Sequence, residues 1–209
     1  MPTTYRTHKG KISIRYSELN NCTAKGIQAV LERRFGIRKP FRSEALDFGA
    51  ERHRVWEEQV RRTGRTPEEF HHLLDIPVTY CEEQFAAEVF PGVVLNFTPD
   101  EVSVPEKAVI DTKTSIQAKG AMGYFKSPQL KIYAYALGIL GIQIDWEIYL
   151  AEIWNEDHTE ILDYNMVKRP ITLIEKAEAR RWITERAERL IVGIEYYKNE
   201  LGLEEVSNE

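Results

Sequence analysis

Thr98-Pro99-Asp100 and Ala108-Val109-Ile110-Asp111-Thr112-Lys113-Thr114-Ser115 stand on either side of Pro105-Glu106-Lys107. The short apolar, β-branched lead-in from Ala108 predicts a strand carrying Asp111 and Lys113. Side chains two apart on a strand project from one face, so these two point together. Pro105-Glu106-Lys107 reads as the turn of a hairpin, and folding about it sets Asp100 opposite Asp111 to within a residue of register. Two carboxylates and an ammonium then converge on one point. That set suits a hard divalent cation beside a group able to orient water and stabilise an oxyanion. An Asp-x-Lys at a strand end is commonly no more than a solvated ion pair of small energetic consequence. Its surroundings therefore decide the reading.

The chain as a whole permits such a site. At 209 residues it has the length of one domain and enough material for a sizeable core. Apolar and charged fractions of 43% and 29% are those of an ordinary soluble protein. No run approaches the length of a membrane span, and Met1-Pro2-Thr3-Thr4-Tyr5-Arg6 lacks the apolar core of a secretory signal. Cys22 and Cys81 are far apart and match no zinc spacing, so a reducing cytoplasm is the expected compartment and no membrane partner is expected. A net charge of −5 does not advertise a nucleic-acid binder. Its distribution is uneven, however. Arg33, Arg34, Arg38, Lys39, Arg42, Arg52, Arg54, Arg61, Arg62 and Arg65 crowd one segment, while Glu200, Glu204, Glu205 and Glu209 crowd the end. A local basic surface can follow phosphates under an acidic overall balance, and a solvated helix face is the equal alternative for any one arginine.

Along the chain, the opening ten residues are polar and read as loose. Ser17 reads as the cap of a helix running to Gly36, and Ser43 as the cap of a second helix reaching Gly64. Thr66-Pro67-Glu68-Glu69 should open a short helix through about Leu74. From Ile76 to Val104 the period shifts to that of two or three strands, broken by a turn at Pro91-Gly92. Ser127-Pro128 starts a helix that Gly138 and Gly141 end. Gln143–Trp154 and Thr159–Val167 read as strands joined at Asn155-Glu156-Asp157-His158, and Thr172 with Glu175 forms a capping box for a helix to about Lys198. The order predicts an α/β fold, a central mixed sheet flanked by helices. It is organised as a single domain with a helical part over about 15–75, a core over about 76–170 and a last helix over about 172–200.

Upstream of the hairpin lies Gly49-Ala50-Glu51-Arg52-His53-Arg54-Val55-Trp56-Glu57, and downstream Gln129-Leu130-Lys131-Ile132-Tyr133-Ala134-Tyr135. The succession Gly-x-x-x-His, Asp…Asp-x-Lys, Gln-x-x-x-Tyr resembles the RecB-type branch of the PD-(D/E)xK nuclease superfamily over roughly residues 45 to 140. That branch includes the nuclease domains of RecB and its relatives, CRISPR-associated RecB-like nucleases and phage recombination exonucleases. The resemblance implies a restriction-endonuclease-like core and a DNA nuclease dependent on Mg²⁺ or Mn²⁺. Asp100, Asp111 and Lys113 would be catalytic. Asp100, Asp111, the Thr112 carbonyl and His53 would be metal ligands, with one ion or two left open. Taken alone, a helical histidine is more often structural than a ligand. Glu57, one turn beyond His53, is either a further contact to the metal group or the partner of Arg61. Gln129 and Tyr133 share a helix face, and the resemblance sets them beside the site, where an amide and a phenol help to place DNA. Lys126 and Lys131 are candidate phosphate contacts, and Tyr135 and Leu137 should pack inward.

The chain departs from the pattern in two ways. Many relatives carry a glycine shortly before the first aspartate, where Leu95-Asn96-Phe97-Thr98-Pro99 has none. Iron–sulfur members use one early and three late cysteines; Cys22 resembles the early one, but none follows Cys81, so no four-cysteine iron–sulfur cluster forms within this chain. With no Walker loop, unwinding would fall to a helicase or recombination protein as partner. The expected activity is exonucleolytic, on DNA ends or single strands in recombination, repair or phage replication. A structure-selective or site-specific endonuclease is the second reading. A DNA-binding factor with a degenerate nuclease core is the third, and the complete Asp100, Asp111 and Lys113 set argues against it.

Overall fold

Ser43 caps its helix as its position predicts, the hydroxyl accepting the Leu46 N–H at 3.3 Å in the computed structural model. The structure describes residues 11–39, 43–116 and 121–204; the polar first ten residues, Arg42, Glu205 and Glu209 lie outside them. Two units emerge, one built from residues 42–85 and 98–177, the other from 1–41, 86–97 and 178–209.

The first unit holds a five-stranded mixed sheet in the order β2-β5-β6-β7-β8. These strands are β2 (Tyr80–Cys81), β5 (Glu101–Ser103), β6 (Ala108–Ser115), β7 (Trp146–Trp154) and β8 (Ile161–Pro170). β5 and β6 are antiparallel, with Glu101 opposite Ile110 and Ser103 opposite Ala108, and the turn between them is closed by the Lys107 N–H on the Val104 carbonyl. β6 and β7 are parallel, from Ala108 beside Trp146 to Ser115 beside Ile153. A parallel neighbour needs a crossover, here α4 (Ala121–Tyr124) and α5 (Gln129–Ile139). β8 then returns antiparallel through a turn in which Asn155 Oδ1 accepts the N–H groups of Thr159 and Glu160.

Helix α3 (Glu44–Thr63) ends at Gly64, whose φ of +67° gives the left-handed turn that a residue with a Cβ adopts at a cost. Trp56 packs with Phe70, Leu74, Ala108, Ile110, Ile148 and Leu150 as the unit's core. Over the first half of α3, Leu46 and Ala50 are exposed despite their apolar side chains. The inward positions go instead to Phe48, edge-on to Trp154, and to Arg52. Arg52 turns in because Glu152 on β7 is a fully buried acid that needs donors. Beyond Gly64, the expected helix to Leu74 shrinks to a single 3₁₀ turn at Glu68–Phe70. Thr66 does not cap it: its buried hydroxyl donates to the Leu74 carbonyl at 2.7 Å and ties the loop back on itself.

In the second unit, three strands follow the order β1 (Ile12–Arg15), β4 (Val93–Phe97), β3 (Phe85–Phe90). β1 is parallel to β4, and Gly92 makes the β3–β4 turn at φ +81°. The segment from Ile76 to Val104 therefore carries four strands, β2 to β5, where two or three were expected. The helix predicted from Ser17 to Gly36 is in fact α1 (Tyr16–Asn21) and α2 (Ile27–Arg34), with Arg15 rather than Ser17 at the first cap. α1 can stop because Arg186 donates to the Leu19 and Asn20 carbonyls and Arg189 to the Cys22 carbonyl, satisfying the chain's freed acceptors. Gly36, at φ +71°, follows α2 as predicted. Helix α6 (Leu173–Asn199) begins with the expected reciprocal pair, the Thr172 N–H on Glu175 and the Glu175 N–H on the Thr172 hydroxyl. No helix among the described residues is long and apolar enough to cross a membrane.

Candidate active site

Continuing the β5–β6 ladder by one pair beyond Glu101 and Ile110 sets Asp100 opposite Asp111, the register the hairpin predicts. Asp100 Oδ2 accepts the Thr112 N–H at 2.8 Å, which pins the first carboxylate to the strand of the second. Alternation along β6 turns Asp111 and Lys113 the same way, and Lys113 Nζ lies 2.8 Å from Asp111 Oδ1. α5 brings Gln129 to the same oxygen, its amide nitrogen 3.2 Å away. The Gln129 amide also meets the Tyr133 hydroxyl at 3.4 Å. Tyr133 is buried, with its hydroxyl toward Gln129.

α3 delivers His53 from the other side. Its Nδ1 lies 3.7 Å from both Asp100 Oδ2 and Glu82 Oε1, with Trp56 edge-on to the ring. His53, Glu82 and Asp100 form a group whose potential ligand atoms lie within 4.8 Å of one another. Glu82 ends β2 in left-handed backbone, φ +49°, and its N–H bonds the Asp100 carbonyl at 2.9 Å. The sequence reading missed Glu82, and it missed Glu101. Glu101 is buried, accepts the Thr112 hydroxyl on Oε1, and has no hydrogen bond to Oε2 among the described residues. Glu57 is paired with Arg61 at 2.8 Å, the surface alternative, although it also lines a cavity of about 10 Å³ with His53, Glu82, Asp100, Glu101 and Thr112.

Burial in this cluster raises every acid for which a shift is resolved. Asp111 is pushed up to about 7 by burial and then by the Asp100 charge, against the pull of Lys113. Glu101 is pushed up to about 8 by burial and by Asp100. Asp100 is raised by burial against Lys113 and His53. Burial alone would lower the His53 imidazole, but the neighbouring Glu82 and Asp100 carboxylates hold it above its usual value. Buried carboxylates that repel one another, with Asp111 Oδ2 and Glu101 Oε2 lacking donors among the described residues, make a strongly cation-seeking set.

Seven arginines of the basic segment are paired with acids. Arg34 pairs with Glu18, Arg38 with Glu32, Arg52 with Glu152, Arg54 with Glu51 and Glu58, Arg61 with Glu57, Arg62 with Glu68 and Arg65 with Asp75. Lys131, a candidate phosphate contact, instead donates to the Phe125 carbonyl at 3.1 Å. Lys126 is exposed, Leu137 is buried as expected, and Tyr135 is half-buried.

No protein-family model and no curated protein matches the sequence. Solved structures do. An alkaline exonuclease, LHK-Exo from Laribacter hongkongensis, is 14% identical with a TM-score of 0.54, over 92% of this chain and 94% of that one. A phage-related exonuclease from Haemophilus somnus 129PT is 11% identical with a TM-score of 0.53, over 92% and 96%. The protein SSO0001 is 17% identical with a TM-score of 0.55, over 86% and 77%. At such identities the likeness is one of architecture: the chain has a restriction-endonuclease-like fold, shared with these exonucleases.

Proposed function

We propose that the chain is a divalent-metal-dependent deoxyribonuclease, and that it acts as an exonuclease on DNA ends or single strands. The observation that carries this reading is the convergence of Asp100, Asp111 and Lys113 on adjoining strands, met by His53 from α3 and Gln129 from α5. Two structures of like fold are named exonucleases, and LHK-Exo has also been solved with dAMP, a deoxynucleoside monophosphate.

The residues fit a cation, since Asp111 keeps one buried oxygen without a hydrogen bond among the described residues and stands against a second buried carboxylate. Asp100, Asp111 and the Thr112 carbonyl would hold Mg²⁺ or Mn²⁺, with His53 reaching it beside Asp100. When bound, such an ion supplies Lewis acidity toward the phosphoryl oxygen and an acidified water. The chain's own work is positioning. Lys113 stands where an ammonium can orient the attacking water and stabilise charge developing on the phosphoryl oxygens. Gln129 fixes Asp111 Oδ1, and Tyr133 fixes Gln129.

End-labelled single-stranded, duplex and circular DNA, incubated with Mg²⁺, Mn²⁺ or EDTA, tests the reading. Mononucleotides released only from linear substrates are expected, with no release in EDTA. Cutting of circles would select an endonuclease. Activity persisting in Asp111→Ala or in EDTA would overturn the mechanism.

A further inference from the structure

Phe125 stands at the centre of a charged cluster separate from Asp100, Asp111 and Lys113. The guanidinium carbon of Arg169, on β8, lies over its ring, 4.4 Å from the centre. Tyr149, on β7, meets the same ring edge-on, with 5.8 Å between ring centres. The Phe125 carbonyl accepts Lys131 Nζ from α5 at 3.1 Å. Arg169 is in turn held by two acids: Glu147 on β7, which is fully buried, and Glu175 at the start of α6, 2.7 Å away. Lys131 Nζ stands 3.8 Å from the same Glu175 oxygen. Two cations and two acids thus close around one aromatic side chain.

What Phe125 holds is a wall of the site. Residues 124–128 lead from α4 into α5, and Tyr124 and Ser127 line a cavity of about 160 Å³. Across that cavity stand Asp111, Lys113 and Ser115 of β6. Tyr124 stacks on Tyr149 with ring centres 5.4 Å apart, and the Ser127 N–H donates to the Tyr124 carbonyl at 3.2 Å. The loop is therefore anchored to the sheet on one side and faces the cavity on the other. A buried ion pair stabilises little more than apolar packing of equal volume. It orients far better, because a planar guanidinium with acids at its edge and a ring on its face has a single fit. An aliphatic peg would keep the loop attached, whereas this cluster fixes where its wall stands.

We propose that Arg169 is a positioning residue for the substrate. Acting through Phe125, it sets residues 124–128 opposite Lys113 so that the cavity between them takes the DNA strand. Glu147 and Glu175 orient Arg169, and Lys131 secures the backbone of the loop. The inference rests on the nuclease reading in taking the cavity beside Lys113 as the place of the strand. The loop touches parts of the strand that do not react, while the groups assigned to the chemistry stand on the β5–β6 hairpin. Loosening the loop therefore weakens ground state and transition state alike, which raises KM and spares kcat.

Steady-state cleavage of end-labelled single-stranded DNA by Arg169→Gln combined with Glu147→Gln tests this, the pairing leaving no lone acid buried. KM should rise about tenfold and kcat change by less than about threefold. Phe125→Leu, which keeps every charge, should give the same split. Arg169→Lys keeps the charge but loses the planar fork, and should not restore KM. A merely structural role gives the reverse pattern, a lower apparent kcat from fewer folded molecules at unchanged KM. The geometry is read without DNA in the chain labelled with fluorotyrosine, where the Tyr124 fluorine resonance is identified by its loss in Tyr124→Phe. That resonance should move in the double variant and in Phe125→Leu. A KM within about twofold of wild type in both variants, an unmoved resonance, or full rescue by Arg169→Lys overturns the proposal. The two readings fail separately: a chain that cuts no DNA yet shows the moved resonance refutes the nuclease function and supports the anchor, whereas one that cuts DNA with KM unmoved refutes the role of Arg169 alone.

Discussion

Glu152 and Asp111 are both buried acids on adjacent parallel strands of one sheet, yet they are wired in opposite ways. Glu152 receives four donors: Arg52 through Nη2 at 2.5 Å and Nε at 2.9 Å, Trp56 at 3.3 Å and Trp154 at 3.0 Å. The Arg52 guanidinium is flanked by the Trp56 and Trp154 rings. Asp111 has Lys113 and Gln129 on one oxygen, no donor on the other among the described residues, and Asp100 and Glu101 as like-charged neighbours. A buried carboxylate with every lone pair satisfied holds a structure together. One left under-satisfied beside others stores repulsion that a cation relieves. Under the proposed function, the difference separates a scaffold acid, Glu152, from a working one, Asp111, without reference to any motif.

Removing each acid's charge should therefore give opposite results. Asp111→Asn is expected to lose about 10³-fold or more in DNA cleavage, a loss typical of removing a centrally placed charge-handling group. It should nonetheless raise the metal-free melting temperature. Cleavage assays beside thermal unfolding in EDTA measure both. A fall in stability together with activity would mean that Asp111 is structural after all. Next in size, Arg52→Met leaves Glu152 buried without its counter-charge, held by the two indoles alone, and should cost about 3–5 kcal/mol. Denaturant unfolding reads it, and a loss under 1 kcal/mol would erase the contrast.

The third expectation concerns pH. Folded Asp111 and Glu101 hold protons up to about 7 and about 8, whereas unfolded carboxyls release theirs near 4. Between those limits the folded state binds more protons, so metal-free stability falls as pH rises from about 4 to 8. Melting temperatures in EDTA should be lower at pH 8 than at pH 5.5 by at least a few degrees, and saturating Mn²⁺ should remove the difference. A flat profile in EDTA would show the acids to be better satisfied than their contacts indicate.

The smallest effect belongs to Gly49 of the Gly-x-x-x-His motif. A Cβ there would stand 3.6 Å from Thr114 Oγ1, an ordinary contact, with φ outside the left-handed region. Gly49→Ala should thus stabilise the chain by about 0.5–1 kcal/mol, the usual gain for a helix interior. If it also weakens DNA binding in a fluorescence-anisotropy titration, the glycine serves the close approach of a strand. If binding is unchanged, its presence is incidental.

What the sequence revealed follows the range of the interactions concerned. The hairpin register, the Ser43 and Gly64 caps and the Thr172–Glu175 box depend on residues a few places apart, and their residue types state the geometry directly. Glu82 was hidden because nothing local marks it: it follows a two-residue strand and meets His53 only through the packing of α3. Glu101 looks solvated beside Asp100 until β6 covers it. The arginine run left two readings open for a similar reason. The partners of Arg54 and Arg61 lie three or four residues off and could be seen, but the partner of Arg52 is on β7. The break after α1 depends on Arg186 and Arg189, far along the chain on α6, and no local signal announced it.

The β5–β6 hairpin has a kinetic consequence as well. Asp100 and Asp111 are joined through a tight turn, so bringing them together closes a loop of about ten residues, an event on the order of 10–100 ns. His53 and Gln129 must arrive on helices that dock later, across longer separations. The two acids are thus forced together early, before the helices can shield them, and the nascent hairpin carries its own opposition to folding. Divalent ions present during refolding should accelerate the step in which the sheet forms, acting as a folding template before they act in any reaction.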